Sequence, residues 1–401
     1  MSPLGATGAA DGRVGEVSRM LVPLAAPAAA AWLFDGLYPP HGLRGRARRL
    51  AGAAAARRAA RRGRALAGWP FERVWRRSAL PERWGDALAA QSALAGARSG
   101  GWVLVRDEPS SRRRRTLLFR FGPGDRAPRE LVKLRPLDAP GLPLAHERDA
   151  LAAVAARLPA ELAGSVPRVL GHGRAGGFEL LRLSVLPGRS AYVEMLVAPG
   201  SAGRLAAISA AAARWLAGLH AATRAARPWR PPPWEELGEG PSPAWYRLVA
   251  GTAGAPLRPA FGHGDFWPRN LLLAGADGEP PAVVDWEAAG PIAPPLLDLF
   301  DFPTALGLAH PAAAGDGPSG AFRRTFVADT PVSRAVRSYA ARYAAAAGWS
   351  AELLEPALRL YLRMRGRDRG PFAGRPATDD PRFWLRCEAR LDEAGGCALS
   401  G

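Results

Sequence analysis

The chain has 401 residues, 48% of them apolar, enough for two or three ordinary domains or one large two-lobed protein, and 54 Lys and Arg against 36 Asp and Glu give a net charge of +18. Two cysteines, Cys387 and Cys397, exclude a disulfide framework and a cysteine zinc site, and fit ordinary thiols in a reducing cytoplasm. Lysine and asparagine each occur once, as Lys133 and Asn270, in a chain rich in Ala, Arg, Gly and Pro, the bias of a GC-rich gene.

The basic excess lies early: residues 1–100 hold 16 Arg against 6 acids. Residues 1–20 read as loosely attached. The run Leu21–Phe34, LVPLAAPAAAAWLF, is the candidate for targeting. Two prolines, many alanines and mixed charge before it argue against a secretory signal, and it is too short and weak to span a bilayer. Residues 43–67 predict an Ala/Arg helix with Arg57, Arg58, Arg61 and Arg62 along one stripe. A solvated surface helix is the simpler reading; weak contact with an anionic membrane surface is the other. Sequence-specific nucleic-acid binding is not expected, and nothing in the sequence specifies an oligomeric state.

From Gly101 the texture is that of strands. WVLVRDE (102–108), TLLFRFG (116–122) and ELVKLRP (130–136) predict a meander, with PSSRRRR in its first connection and GPGD in its second. Residues 142–158 have helical periodicity, and 176–188 read as a further apolar strand leaving through a Pro-Gly turn. Helix follows at 204–224, then a Pro-rich connector at 227–243. LLLAG and PAVVDW form a hairpin around ADGEP, 310–320 is a loop, and 331–369 and 381–394 are helical. The expected division is an N-terminal extension over 1–100, a small α+β unit over 101–188 and a helical unit over 189–401.

The stretch FGHGDFWPRNLLL (261–273) concentrates the chemistry. Asp265 and Asn270, five residues apart in a loop, can aim two oxygen-bearing side chains into one cavity. A carboxylate can take the proton of an acceptor hydroxyl, and an amide oxygen can ligate a hard cation such as Mg²⁺. The hairpin returns the chain to Asp285, which sets a second carboxylate beside the pair.

This order resembles the protein-kinase pattern of His-x-Asp, four residues, Asn, a hairpin and a metal-binding Asp. His-Gly-Asp followed by Asp-Trp-Glu (285–287) resembles the aminoglycoside phosphotransferase and choline kinase group, as do LAGLHA (216–221) and PPLLDLFDF (294–302). The resemblance covers about residues 101 to 370. It implies a two-lobed, kinase-like α+β fold: a small sheet-plus-helix lobe, a larger mostly helical lobe, and here an added basic N-terminal segment. It further implies an ATP-dependent phosphotransferase acting on a small-molecule hydroxyl. Asp265 is then the catalytic base, and Asn270 and Asp285 bind Mg²⁺. Lys133 meets the α/β-phosphates of ATP and Glu147 positions it. His263 braces the loop, Asp298 supports it from below, and adenine lies against backbone at Leu183, Val185 and Leu186. The hydroxyls of Ser110 and Ser111 could meet phosphate in the absence of a glycine-rich loop. Glu287 reads as a residue just behind the metal ligands. The competing readings are a kinase-like nucleotide-binding module without chemistry and a protein kinase; the latter lacks its Asp-Phe-Gly and Ala-Pro-Glu. The basic run RLYLRMRGRDR (359–369) tilts the acceptor toward a neutral or anionic compound.

Overall fold

The structure, a computed structural model, describes residues 14–17, 20–23, 26–34, 42–62, 76–77, 101–106, 115–175, 177–197, 201–238, 241–252, 257–274, 279–292, 295–310, 317–367 and 381–399. The chain divides into two units, Met1–Leu151 with Pro167–Leu186, and Ala152–Val166 with Pro187–Gly401.

Alternation of side chains across strands organises the first unit. Its strands are β1 (Val14–Val17), β2 (Met20–Pro23), β3 (Arg76–Arg77), β4 (Gly101–Arg106), β5 (Thr116–Phe121), β6 (Glu130–Pro136), β7 (Val169–Ala175) and β8 (Phe178–Ser184). They form one sheet in the order β3-β1-β2-β4-β5-β6-β8-β7, every pair antiparallel. Val103, Phe119 and Phe121 face helices α1 (Pro27–Trp32) and α2 (Gly42–Arg61) in one core. Leu104, Leu118, Val132 and Leu134 form a second core on the opposite face. Both faces are buried, which is why these strands read as near-continuous apolar runs.

Of residues 1–20, read from the sequence as loosely attached, 14–17 instead form β1 and Met20 begins β2, which pairs with β4; the others lie outside the described residues. The Leu21–Phe34 run is structural: Ala29, Ala30, Leu33 and Phe34 are buried in the first core. The Ala face of α2 packs on it so closely that a Cβ at Gly52 would meet the Phe34 ring at 2.7 Å. Arg57, Arg58, Arg61 and Arg62 are exposed. Strand β7 was not anticipated. Its VLGHGRA sequence is polar and glycine-broken, as an edge strand tolerates, and burial along it alternates between half-buried and exposed.

Helix α3 (Leu144–Ala155) is capped from a distance. The Glu179 carboxylate on β8 accepts the N–H groups of Leu144 and Ala145, both at 2.9 Å. Burial opposes the Glu179 charge, but His172 and these donors outweigh it and hold the carboxyl below its ordinary range.

The second unit holds α4 (Ala160–Ala163), α5 (Ala191–Val197), α6 (Ala202–Thr223), α7 (Trp234–Leu237), α8 (Ala244–Thr252), α9 (Leu296–Ala309), α10 (Gly317–Phe326), α11 (Pro331–Ala347), α12 (Leu354–Arg367) and α13 (Pro381–Glu393). Its short strands are β9 (Arg189–Ser190), β10 (Ala260–Gly262), β11 (Leu271–Leu273), β12 (Ala282–Val283) and β13 (Gly290–Ile292), paired as β12-β11-β9 and β10-β13. Helix α6 is the core helix, with Leu205, Ile208, Ala212, Trp215, Leu216 and Leu219 buried. The stretch read as one helical region over 331–369 is two helices. Gly348 ends α11 in the left-handed conformation, φ 73°, which glycine adopts at little cost.

Candidate active site

The loop after β10 is held from beneath. Phe261 N–H donates to Thr223 Oγ1 of α6 at 3.0 Å, which fixes the strand leading in. Asp298, in the first turn of α9, accepts the His263 N–H at 2.6 Å on one carboxylate oxygen and the Gly264 N–H at 2.9 Å on the other. Burial would raise the Asp298 pKa. His220, with His263 and its backbone donors, outweighs burial and holds the carboxyl below its ordinary value.

Gly264 is where kinases carry Arg, and the structure supplies a local reason for glycine. Its φ is +76°, and a Cβ there would meet the Ala288 carbonyl oxygen at 2.3 Å. His263 is fully buried. Its Nε2 lies 3.0 Å from the Val284 carbonyl, and its Nδ1 lies 3.3 Å from the Asp265 N–H. Those partners select the neutral tautomer with the proton on Nε2. His263 thereby ties the loop to the chain just ahead of Asp285.

Asn270 closes the loop on itself. Its Nδ2 donates to the Asp265 carbonyl at 2.9 Å and to the Asp265 carboxylate at 3.2 Å. With the amide nitrogen turned to Asp265, Oδ1 is the end a hard cation would take. Across the hairpin, Val284 N–H donates to the Asn270 carbonyl at 3.0 Å, so Asp285 follows one residue later. Asp285 has φ 70°, the one positive value at a non-glycine residue among those described. Such strain persists where surrounding contacts over-determine it, and it clusters at functional sites. No group of three or more His, Cys, Asp or Glu side chains suited to a metal occurs among the described residues. An amide oxygen and a carboxylate suit a cation that takes its other ligands from phosphate and water.

The residue between Asp285 and Glu287 anchors this cluster. Trp286 is fully buried, packs 4.8 Å from the His263 ring and donates its indole N–H to the Val283 carbonyl at 3.0 Å. Trp215 of α6 stacks on Phe266 at 5.5 Å and donates to Ser165 Oγ at 2.7 Å. Glu287 is buried.

In the first unit, Lys133 of β6 and Glu147 of α3 meet at 2.8 Å, with side chains 4% and 1% exposed. The pair sits on two regular elements, and the remote cap from Glu179 fixes the helix end that carries Glu147. Leu183 is buried within β8, with register partners on both sides, Leu131 and Val169. Val185 follows the strand and packs against the α1/α2 core. Ser110 and Ser111 lie outside the described residues.

Two supporting residues were not assigned a role from the sequence. His220 belongs to the LAGLHA element, and its Nε2 lies 3.7 Å from Asp298. Its Nδ1 is 2.7 Å from the Tyr343 hydroxyl, a group kept as a phenol because burial pushes its pKa up. The motif pointed to His220. Tyr343 lies 123 positions further on, with no local pattern to mark it.

Residues 108–337 match the phosphotransferase enzyme family, APH. Among solved structures, the aminoglycoside phosphotransferase APH(3'')-Id from Streptomyces rimosus is 19% identical, covering 69% of this chain and 96% of that one, with a TM-score of 0.40. Its complex with ADP and streptomycin is 20% identical over 69% and 97%, with a TM-score of 0.38. A GDP complex of a mutant aminoglycoside 2'-phosphotransferase IIIa is 12% identical over 73% and 93%, with a TM-score of 0.40. The comparison with curated proteins gives no match. With more than half of its residues matched, the chain belongs to the phosphotransferase enzyme family, the aminoglycoside phosphotransferase group of the protein-kinase-like fold.

Proposed function

We propose that this phosphotransferase moves the γ-phosphate of ATP to a hydroxyl of a small molecule, with Asp265 orienting that hydroxyl and taking its proton. One observation carries the reading: Asn270 is hydrogen-bonded to both the carbonyl and the carboxylate of Asp265, one hydrogen bond across the hairpin from the strained Asp285. Catalysis of this kind rests on positioning and charge neutralisation, so fixed polar groups on a braced loop are what it requires.

Asn270 Oδ1 and the Asp285 carboxylate would hold Mg²⁺, which when bound supplies neutralising charge on the phosphates. Lys133, paired with Glu147, would meet the α/β-phosphates, and the backbone after Leu183, around Val185, would meet adenine. Lys133 is the chain's single lysine among 53 arginines. A compact ammonium held by one carboxylate is a role that a planar guanidinium fills poorly.

The test is Asp265→Asn with labelled ATP and a panel of sugars, choline, amino alcohols and aminoglycosides. Nucleotide binding is retained and transfer is lost. Undiminished transfer by the variant would refute the assignment of Asp265. Chelation of divalent cations should stop turnover, reversibly on adding Mg²⁺.

A further inference from the structure

Burial alternates along the loop. Phe266, Pro268 and Asn270 are buried, Asp265 and Trp267 half-buried, and Arg269 exposed. Asp265 and Trp267 thus keep part of their surface in solvent, and Arg269 a larger share of its own. The Arg269 guanidinium carbon sits 4.9 Å from the centroid of the Tyr192 ring and 4.9 Å from that of Trp267. The main chain beside it is also fixed. Ser190 Oγ donates to the carbonyls of Pro268 and Arg269 at 3.2 and 3.1 Å, and Tyr192 N–H donates to the Pro268 carbonyl at 3.0 Å.

A guanidinium lying over aromatic rings keeps its in-plane N–H donors for a planar oxyanion. No described carboxylate forms an ion pair with Arg269; Glu194, on the segment that carries Tyr192, pairs with Arg189 and Arg204. Three arginines of the basic run over 359–369 are already paired. Arg359 pairs with Glu355 and Asp392, Arg363 with Glu388, and Arg365 with Asp301.

We propose that Arg269, held against Tyr192 and Trp267, selects the acceptor: a small hydroxyl compound that also carries a phosphate or carboxylate group. This rests on Asp265 being the residue that orients the acceptor. A fixed cation four residues from Asp265 on the same braced loop attracts an acceptor oxyanion and repels a polycation.

The experiment compares glucose, glucose 6-phosphate, glucuronate and streptomycin as acceptors, with the wild type, Arg269→Ala and Arg269→Lys. Arg269 is exposed, so both variants should fold. One of the two anionic probes should exceed glucose in kcat/KM by about tenfold or more, the size expected of a charge-assisted hydrogen bond. Which of them wins separates phosphate from carboxylate. Arg269→Ala should erase the preference through KM for the anionic probe while KM for ATP stays within about twofold, and Arg269→Lys should recover part of it. An unchanged preference in Arg269→Ala, a shift in KM for ATP instead, or streptomycin as the best acceptor would each overturn the proposal. Absence of transfer to every acceptor in the wider panel would count against the phosphotransferase reading itself. Calorimetric binding of glucose 6-phosphate and glucuronate to the ADP-loaded protein then decides the inference separately. Weaker binding by Arg269→Ala supports it; equal binding, or none to either protein, overturns it.

Discussion

Lys133 and Glu147 stand on a strand and a helix, both nearly inaccessible, in ordinary backbone geometry. Asp265, Asn270 and Asp285 stand on irregular backbone, with left-handed dihedrals at Gly264 and Asp285 and hydrogen bonds from the loop to Asp298, which lies 3.7 Å from His220. The first region secures its charge by burial and pairing. The second is held on irregular backbone by acceptors on other elements that take N–H groups of its loop and of the strand leading in. The two should therefore fail differently: loss of the pair should show chiefly as instability, and loss of a loop group chiefly as lost turnover.

The largest effect tests that contrast directly. Asp265→Asn should lower kcat by about 10²–10⁴-fold, the range for a positioned acid–base group, with little change in thermal midpoint. A comparable loss of stability would erase the distinction. Lys133→Ala should destabilise by about 3–5 kcal/mol, because it takes the ammonium from beside the buried Glu147 carboxylate. Lys133→Met combined with Glu147→Leu should recover most of that in urea unfolding and none of the transfer activity.

Gly264→Ala comes next. The dihedral alone costs about 1–2 kcal/mol, and overpacking against the Ala288 carbonyl adds about 1–3 kcal/mol. Unfolding together with turnover should show both properties falling, the signature of a site whose geometry is also part of its packing. Asp298→Asn should cost about 1–3 kcal/mol at neutral pH, since one backbone N–H of the loop then faces an amide donor. It should also change the acid limb of stability. A carboxyl whose folded pKa is depressed stabilises fully above its unfolded value, here 3.8, and loses that contribution as pH falls through the folded value. Wild type should therefore lose stability below pH 3.8 more steeply than Asp298→Asn. The smallest effect on stability has the opposite sign. Asp285→Gly relieves the positive φ and should stabilise by about 1 kcal/mol or less, while abolishing transfer.

The same contrast explains what was legible. Strands β4, β5 and β6 and helix α3 announce themselves through apolar runs and helical spacing, because burial on a sheet or helix face imposes a period. Strands β1 and β7 escaped notice. The first is short and polar-flanked, and the second carries Gly171, His172, Gly173 and Arg174 along an edge where one side of the ladder needs no partner. At the site, His-Gly-Asp, Asn270 and Asp285 stood out by residue type and spacing. The need for glycine at 264 did not, because the atom that excludes a side chain belongs to Ala288, 24 positions further on. Arg269 looked like one more arginine in a chain of 53. Its aromatic neighbour Tyr192 precedes it by 77 positions.

Taken alone, the sequence determined the rare residues and their order along the chain: a strand lysine, a helix glutamate, a loop Asp and Asn, and a second Asp after a hairpin. It could do so because local spacing and residue chemistry are properties of neighbours in the chain. Tertiary structure alone decided which distant groups hold them: Asp298 beneath the loop, His220 and Tyr343 behind Asp298, Glu179 at the start of α3, and the Tyr192 ring against Arg269. Each of those contacts joins residues far apart in sequence. They exist only once burial has brought their elements together, and no periodicity records that in advance.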